Sequence, residues 1–478
     1  MSKLLSNYIY NSLYQMVVLL IPLISMPYLS RVLGSEGIGI NAFSLSIVQV
    51  FILFSILGIP LYGNRLVASV KSKGIEKLSR EFWGIFIIQV LSSVAFSCIY
   101  VLFVFFSVEN NQMIFYIQGL MLFASMIDIS WLFFGLEELK KVLVRNMIVR
   151  FSSLLCIFIF VNDKNDLAIY VLISVLSNIF GQALMWTQAF KYVKRIETSK
   201  VCISKHLKPV MLIFLPQVII QLYVIVDKIL LGVIANETEV AFYDQALRIV
   251  KVTLSIITSA STVMLPRIAA EFSQNNMDKI KLYSNIVVKF VLFMTIPMAV
   301  GLAGIAQTFT LWFFGPGYEK VGTLIIILSP IIILIGLSNV FGMQILIPIN
   351  QQNKVTMAVS VGAIISIIAN VILIKYIASI GTAIATVLAE FIVTFILLFR
   401  VRDIISPIKY AKGFITYIIA SAIMGITIYL LGIHLEIPIV FITIVQVGVG
   451  FLVYFIILYI VKDEFLFNVM NKLFKRKG

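Results

Sequence analysis

Charge is scarce in this sequence. Of its 478 residues only 12% are charged, whereas 61% are hydrophobic and the mean hydropathy is +1.06. A soluble globular domain carries about 25% charged residues. The composition therefore excludes a soluble globular protein, and the long apolar runs predict an all-α polytopic membrane protein.

Cysteine and histidine are scarce as well. The three cysteines, Cys98, Cys156 and Cys202, lie in or beside apolar runs at no metal-binding or disulfide spacing. The two histidines, His206 and His434, are far apart in the sequence. We therefore expect no metal site and no cofactor.

Catalytic motifs are missing too. No glycine-rich loop ends in Gly-Lys-Ser/Thr, so the chain contains no ATP-binding motor. The loops between apolar runs are short and hold no Ser/His/Asp or Cys/His set. A membrane enzyme such as a polysaccharide polymerase or glycosyltransferase usually has a large external loop or a soluble catalytic domain, so we expect no enzyme.

Apolar sequence, in contrast, is abundant. A transmembrane helix needs about 20 residues, and the apolar runs predict fourteen spans, an even number that places both termini on one side. In chain order the predicted spans are 8–30, 40–62, 83–106, 113–136, the short run 146–161, 167–190, 209–233, 240–266, 286–311, 322–344, 355–374, 378–399, 413–432 and 438–461.

Positive charge is concentrated between alternate spans. The net charge is +15, and a strongly basic chain can bind nucleic acid. Here most cations lie in short loops on one side of the spans, so the positive-inside rule explains them better. We expect a plasma-membrane protein with both termini cytoplasmic and no nucleic-acid partner. The tail from Phe465 to Lys477 suits either an amphipathic helix on the inner-leaflet lipids or a plain polar extension.

A weak internal repeat indicates how the spans are grouped. Two series run in parallel about two hundred residues apart: Pro22, Leu33-Gly34, Ala42-Phe43 and Arg65, then Pro216, Leu231-Gly232, Ala241-Phe242 and Arg267. Many secondary transporters are built from such repeats. We therefore expect an N-terminal lobe at 1–190, a cytoplasmic linker at 191–208, a C-terminal lobe at 209–399, and two further spans with a basic tail at 400–478.

The most informative stretch is Val240–Arg267, an apolar run that carries Asp244, Arg248 and Lys251. These charges share one face of a helix because they are spaced i, i+4 and i+7. Hydroxyl residues continue the stripe at Ser255, Thr258, Ser259 and Thr262. A charge within a span costs about 3 kcal/mol, so this stripe should face other helices or a wet cavity. The alternative is a structural Asp244–Arg248 pair near the outer interface, with Lys251 snorkelling.

Other predicted spans carry charges as well. Asp227 and Lys228 lie in span seven, Asp128 in span four and Glu390 in span twelve. The carboxylates are candidates for coupling to H⁺ or Na⁺, or for buried structural ion pairs. Asp227 and Arg248 lie at matching depths, so an Asp227–Arg248 pair is geometrically feasible.

Several motifs resemble those of a known family. The segment MPYLSRVLG at 26–34, followed by GIPLYG at 58–63, resembles the opening of Wzx-type oligosaccharide flippases. DISWLFFGLE at 128–137, DKILLG at 227–232 and LPR at 265–267 resemble the family's fourth, seventh and eighth spans. The family belongs to the superfamily that includes multidrug and toxin extrusion transporters and lipid II flippases.

The resemblance implies two six-helix lobes around a central cavity, and alternating access. The cargo would be a polyprenyl-pyrophosphate-linked oligosaccharide, flipped for capsule, O-antigen or exopolysaccharide assembly. Cationic cavity residues are the family's theme, which Arg248 and Lys251 match best; Arg31, Arg65 and Lys228 are further candidates for the pyrophosphate. Amides suited to sugars occur in spans one and seven, at Asn11, Gln15, Gln217 and Gln221.

Two rival functions belong to the same superfamily. A cation-coupled multidrug exporter keeps an acidic residue in its first span, and this chain has none between Ser2 and Val32. A lipid II flippase would need arginines deep in the first spans, whereas Arg31 and Arg65 lie at span ends. An ordinary loop charge is the alternative for Arg31. The sugar composition, the coupling ion and a polysaccharide polymerase as partner stay open.

Overall fold

The computed structural model describes residues 3–196, 203–261, 268, 270–272, 274, 276–404 and 407–467. It confirms the all-α fold class. The α-helices are α1 Lys3–Ile56, α2 Ile59–Val70, α3 Ile75–Ser107, α4 Gln112–Met126, α5 Ser130–Gly135, α6 Leu139–Phe160, α7 Leu167–Ala189, α8 Ser204–Ile234, α9 Glu237–Ser261, α10 Met277–Phe313, α11 Glu319–Leu328, α12 Ile331–Asn339, α13 Gln352–Val401, α14 Pro407–His434 and α15 Ile439–Ile460.

Two very long helices are each broken in the middle. In α1 the break is at Gly34, whose φ of 69° suits glycine because it has no Cβ. In α13 the break is at Ile377 and Ala378, and Ala378 has a φ of 45°. The predicted span pairs 8–30 with 40–62, and 355–374 with 378–399, fall on the two sides of these breaks.

The region of predicted span four is also discontinuous, because α4 ends at Met126 and α5 begins at Ser130. A break in a span frees backbone carbonyls that the hydrocarbon cannot satisfy. The side chain of Gln89 supplies the missing donor, since its Nε2 lies 2.8 Å from both Ser125 O and Asp128 O. Trp186 Nε1 donates to Ile127 O at 2.9 Å. The broken segment is therefore held by side chains from α3 and α7.

The span boundaries differ from prediction in one instructive place. The short predicted span 146–161 corresponds to α6, which begins at Leu139 and has 22 residues. The prediction was wrong here because Lys140, Lys141 and Arg145 depress local hydropathy without ending the helix. Within the described residues, ten helices are long and apolar enough to cross a membrane, or eleven with one bent pair counted as a single span. The count of fourteen stays a prediction.

The chain divides into two compact units, Met1–Gly232 and Val233–Gly478. In the first, Phe82 packs against Trp131 with ring centroids 5.3 Å apart. In the second, α9 packs against α10, α11, α12 and α13. The division falls within the last turn of α8, the helix that the sequence assigns to the second lobe, so the predicted lobe bounds and the cavity between lobes stay predictions. Most of the predicted basic tail lies outside the described residues.

Candidate functional site

The predicted cationic stripe lies on α9 within the second compact unit, and polar contacts fix the rotation of this helix. Glu239 accepts two hydrogen bonds from Lys320 Nζ, at 2.6 and 2.7 Å, and one from Ser379 N at 3.1 Å. One turn later the hydroxyls of Tyr243 and Thr386 lie 2.8 Å apart. Because these partners come from α11 and from the second half of α13, α9 has a defined face toward each neighbour.

The face that remains open carries the cations. From Val240 to Leu254 every residue of α9 is buried or half-buried except Arg248 and Lys251. Among the described side chains of α9 there is no exposed large hydrophobic residue. A lipid-facing surface would expose apolar side chains, so the open face of α9 is suited to water or a polar ligand.

Arg248 is anchored on this face by a buried carboxylate. Its Nε donates to Asp244 Oδ2 at 2.6 Å across one helical turn. The Asp244 side chain is only 4% exposed, whereas that of Arg248 is 43% exposed. Such charge-assisted bonds are among the stronger hydrogen bonds in proteins. Asp244 therefore orients a guanidinium that is itself exposed, and together with Lys251 the three side chains carry one net positive charge.

The hydroxyl part of the stripe is only partly described. Ser255 Oγ donates to Val252 O at 2.7 Å, a local bond that ties the side chain to its own helix. The side chains of Thr258 and Ser259, and all of Thr262, lie outside the described residues. The site therefore consists, in its described part, of Asp244, Arg248 and Lys251.

Arg31 and Arg65 lie apart from each other in the first compact unit. Both are exposed, and Arg31 Nη1 donates to Pro27 O at 2.9 Å. Between them runs the second half of α1, from Gly34 to Ile56, whose length is about 33 Å at 1.5 Å per residue. The two arginines therefore do not form one phosphate site with each other.

The carboxylate candidates occupy three different settings. Asp227 is buried on α8 beside half-buried Lys228, and Glu390 is half-buried on α13. Asp227 and Arg248 belong to different compact units, so the hypothesised pair between them stays a prediction. Asp128 Oδ1 accepts a hydrogen bond from Ser130 N at 2.8 Å. This contact gives Asp128 a structural role at the start of α5, while its part in ion coupling stays a prediction.

Sequence reasoning missed a polar network in the first compact unit. Arg145 Nη1 donates to Gln182 Oε1 at 2.6 Å, and Nη2 donates to Ser130 Oγ at 3.3 Å and to Asn146 Oδ1 at 2.7 Å. Arg145 directly precedes the predicted span 146–161 and would therefore lie in a loop, but α6 begins at Leu139 and so includes Arg145 within the helix. The available signal was the presence of Ser130 and Gln182 within otherwise apolar runs.

Comparisons with known proteins agree with this architecture. A family model described as "Polysaccharide biosynthesis protein" matches residues 4–272, more than half of the chain. A protein of Escherichia coli (strain K12), provisionally named as an O-antigen transporter, is 26% identical over 401 residues, which cover 83% of this chain and 96% of that protein.

Solved structures show the same fold. The lipid II flippase MurJ in an inward closed conformation aligns with a TM-score of 0.79 at 17% identity, covering 97% of this chain and 100% of that one. An inward-facing multidrug resistance transporter of the MATE family aligns with a TM-score of 0.61 at 13% identity, covering 80% and 95%. At these identities the similarity concerns the fold alone.

Proposed function

The chain belongs to the polysaccharide biosynthesis protein family, and we propose that it is a flippase for polyprenyl-pyrophosphate-linked oligosaccharide repeat units. It would carry these lipids across the plasma membrane by alternating access, for assembly into a capsule, O-antigen or exopolysaccharide. The provisional name of the Escherichia coli relative, an O-antigen transporter, supports this class of cargo. The family and the transporter fold also indicate a protein that moves its substrate without chemical conversion.

One observation carries the proposal: the open face of α9 exposes Arg248 and Lys251 and no large apolar side chain among its described residues. A pyrophosphate needs cationic donors when it leaves water for a low-dielectric layer. The planar guanidinium of Arg248 can contact two phosphate oxygens together, whereas the Lys251 ammonium acts as a compact point charge. The pair is therefore suited to the head group shared by all such cargo lipids.

Buried Asp244 makes the arginine a positioned ligand. Because Asp244 holds Nε at 2.6 Å, the guanidinium does not have to search among rotamers when a phosphate arrives. Restricting a side chain beforehand lowers the entropy that binding must overcome. The sugars would contact other groups. Two candidates lie on α8: Gln217, which is half-buried, and Gln221, which is exposed.

Direction and coupling are further parts of the proposal. We place both termini in the cytoplasm because the basic loops alternate with loops poor in lysine and arginine. Inner-to-outer transport then delivers the lipid to a polysaccharide polymerase. Coupling to H⁺ or Na⁺ would use a carboxylate inside the spans, with Asp227 and Glu390 as the candidates.

Polymer export in cells tests the function. In a host lacking its own flippase, we expect Arg248→Ala and Lys251→Ala each to reduce surface polymer at least about tenfold, since each removes a charge-assisted contact to the pyrophosphate. Immunoblotting of membranes should show normal amounts of both variants. Lys281→Ala, which removes an exposed cation from α10, is the matched control and should export normally.

Normal export from the Arg248→Ala/Lys251→Ala double variant would contradict the proposal. Lipid II flippase activity is the rival that presents the same pyrophosphate. Wild-type protein that restores growth to cells depleted of lipid II flippase, but exports no polymer, would favour that rival. Drug resistance conferred on an exporter-deleted host, again without polymer export, would favour a multidrug exporter.

A further inference from the structure

A second basic site lies on α13, away from the stripe of α9. Residues from the two ends of this helix together line one concave surface pocket of about 430 Å³. Its wall combines three cations and one carboxylate with apolar side chains. The residues that matter are Lys354, Arg400, Arg402 and Asp403, together with Met357, Phe395 and Phe399. We call this surface the α13 groove.

The break at Ile377 and Ala378 brings these distant residues together. The second half of α13 runs back along the first, and a Cβ added to Gly362 would lie only 2.3 Å from Val393 Cγ2. At the open end of this hairpin, Arg400 Nη2 lies 3.7 Å from Met357 Sδ. Cations nearly fifty residues apart in sequence therefore share one pocket because of the fold.

An apolar ridge leads into the α13 groove, and two of its three phenylalanines, Phe395 and Phe399, line the pocket. Phe391, Phe395 and Phe399 follow one another at intervals of four residues and are 55%, 51% and 54% exposed. Their ring centroids are 6.2 and 5.3 Å apart in succession. Exposed aromatic side chains in a row along a membrane helix are suited to contact with hydrocarbon. The ridge leads directly to the cationic end of the pocket.

The charge at that end is positive and weakly compensated. Arg402 lies over the Phe399 ring, 5.6 Å from its centroid. Its contact with Asp403 is long, at 3.9 Å, and the Asp403 side chain is 91% exposed, so this ion pair contributes little. The three cations and one carboxylate that line the pocket leave two net positive charges.

We propose that the α13 groove binds an anionic phospholipid of the bilayer. Its phosphodiester lies between Lys354, Arg400 and Arg402, and one acyl chain lies along the phenylalanine ridge. Clustered lysines and arginines at a membrane boundary attract anionic lipid head groups. Among the described residues that line the pocket, none is an Asn, Gln, Tyr or Trp that could hold a sugar, which favours a simple phospholipid over the oligosaccharide cargo.

Lipid binding to the purified full-length protein in detergent tests this inference. We expect phosphatidylglycerol to bind more tightly than phosphatidylcholine by native mass spectrometry and to raise the unfolding temperature. Soluble glycerol phosphate, which lacks acyl chains, should do neither at the same concentration. The Lys354→Gln/Arg400→Gln/Arg402→Gln variant should bind phosphatidylglycerol at least about tenfold more weakly, because each lost cation weakens attraction to the head group.

The matched control removes the same charge elsewhere, through exposed Lys73, Lys77 and Lys281 replaced by Gln, and should bind phosphatidylglycerol like the wild type. Equal wild-type binding of the two phospholipids would overturn the inference without any variant. Equal binding of glycerol phosphate would reassign the groove to free phosphate, and displacement by polyprenyl phosphate at lower concentrations would reassign it to the cargo. If both triple variants bound phosphatidylglycerol equally weakly, the net charge of the protein, and not the α13 groove, would explain the binding.

Discussion

At the scale of single residues, Arg248 and Lys251 share one face of α9 but present different chemistry. Arg248 is oriented by a buried carboxylate at 2.6 Å and offers a planar fork of donors. Lys251, three residues later, offers a flexible ammonium on the same exposed face. The sequence-based alternative, a structural Asp244–Arg248 pair, is present in the structure. Because the paired guanidinium of Arg248 is still 43% exposed, the ion pair is compatible with binding of a phosphate by the same side chain.

The Asp244→Asn variant tests how far the ion pair with Arg248 supports stability and how far it supports export, because it keeps the side-chain size and removes the charge. Removing one partner of a fully buried ion pair costs about 3–5 kcal/mol. Arg248 is 43% exposed, so solvent screening reduces the expected loss to about 1–2 kcal/mol. Export should fall several-fold, because Arg248 loses its orientation.

A double-mutant cycle with Arg248→Gln measures the coupling between the two residues. Unfolding temperature and polymer export are compared for the wild type, both single variants and the double variant. We expect the double variant to export no worse than Arg248→Gln alone, since Asp244 acts through the arginine. Strictly additive losses would show that Asp244 supports export by another route.

At the scale of elements, the sequence predicted what local periodicity determines. The i, i+4, i+7 spacing predicted one helix face for Asp244, Arg248 and Lys251, and in the structure α9 is helical there, with Asp244 buried and Arg248 and Lys251 exposed. It did not predict the contact between Glu239 and Ser379, because these residues are 140 positions apart and meet only after α13 folds back. The sequence did not predict the α13 groove for the same reason, since its residues come together only when α13 folds back. The position of Arg145 inside a helix was not predicted, because Arg145 together with Lys140 and Lys141 made the start of α6 look like a loop.

Breaks in long helices are the other element-scale feature, and Gly34 offers a clean test. A Cβ at Gly34 would have its nearest neighbour, Lys164 Cε, at 4.0 Å, so Gly34→Ala introduces no clash. The φ of 69° is nonetheless unfavourable for alanine, at a cost of about 1–2 kcal/mol. We expect a lower unfolding temperature in detergent.

Gly448→Ala in α15 is the matched control for this substitution. A Cβ there meets nothing within 4 Å, and Gly448 is not among the glycines with positive φ. In a helix interior alanine is favoured over glycine by about 1 kcal/mol, so this variant should be as stable as the wild type or more stable. Equal destabilisation of both variants would show that Gly34 has no special backbone role.

At the scale of the whole molecule, the family match and the fold similarity are consistent with each other: the chain belongs to the polysaccharide biosynthesis protein family and shares the fold of the lipid II flippase MurJ. Composition alone predicted the all-α membrane class, since 61% hydrophobic residues exclude a soluble domain. It could not specify the cargo, because any membrane protein of this fold needs the same apolar helices. We propose that the discriminating feature is a small set of polar positions on helices such as α9, where charge is retained despite its cost in a membrane.

Cysteine labelling of α9 tests the central claim most directly. In a variant lacking Cys98, Cys156 and Cys202, a single cysteine is placed at Arg248, at Lys251 or at buried Ala246. We predict that a membrane-impermeant maleimide labels the cysteines at positions 248 and 251 but not the cysteine at 246, because only the first two lie on the open, water-accessible face. No labelling at 248 and 251, or equal labelling at all three positions, would contradict the account.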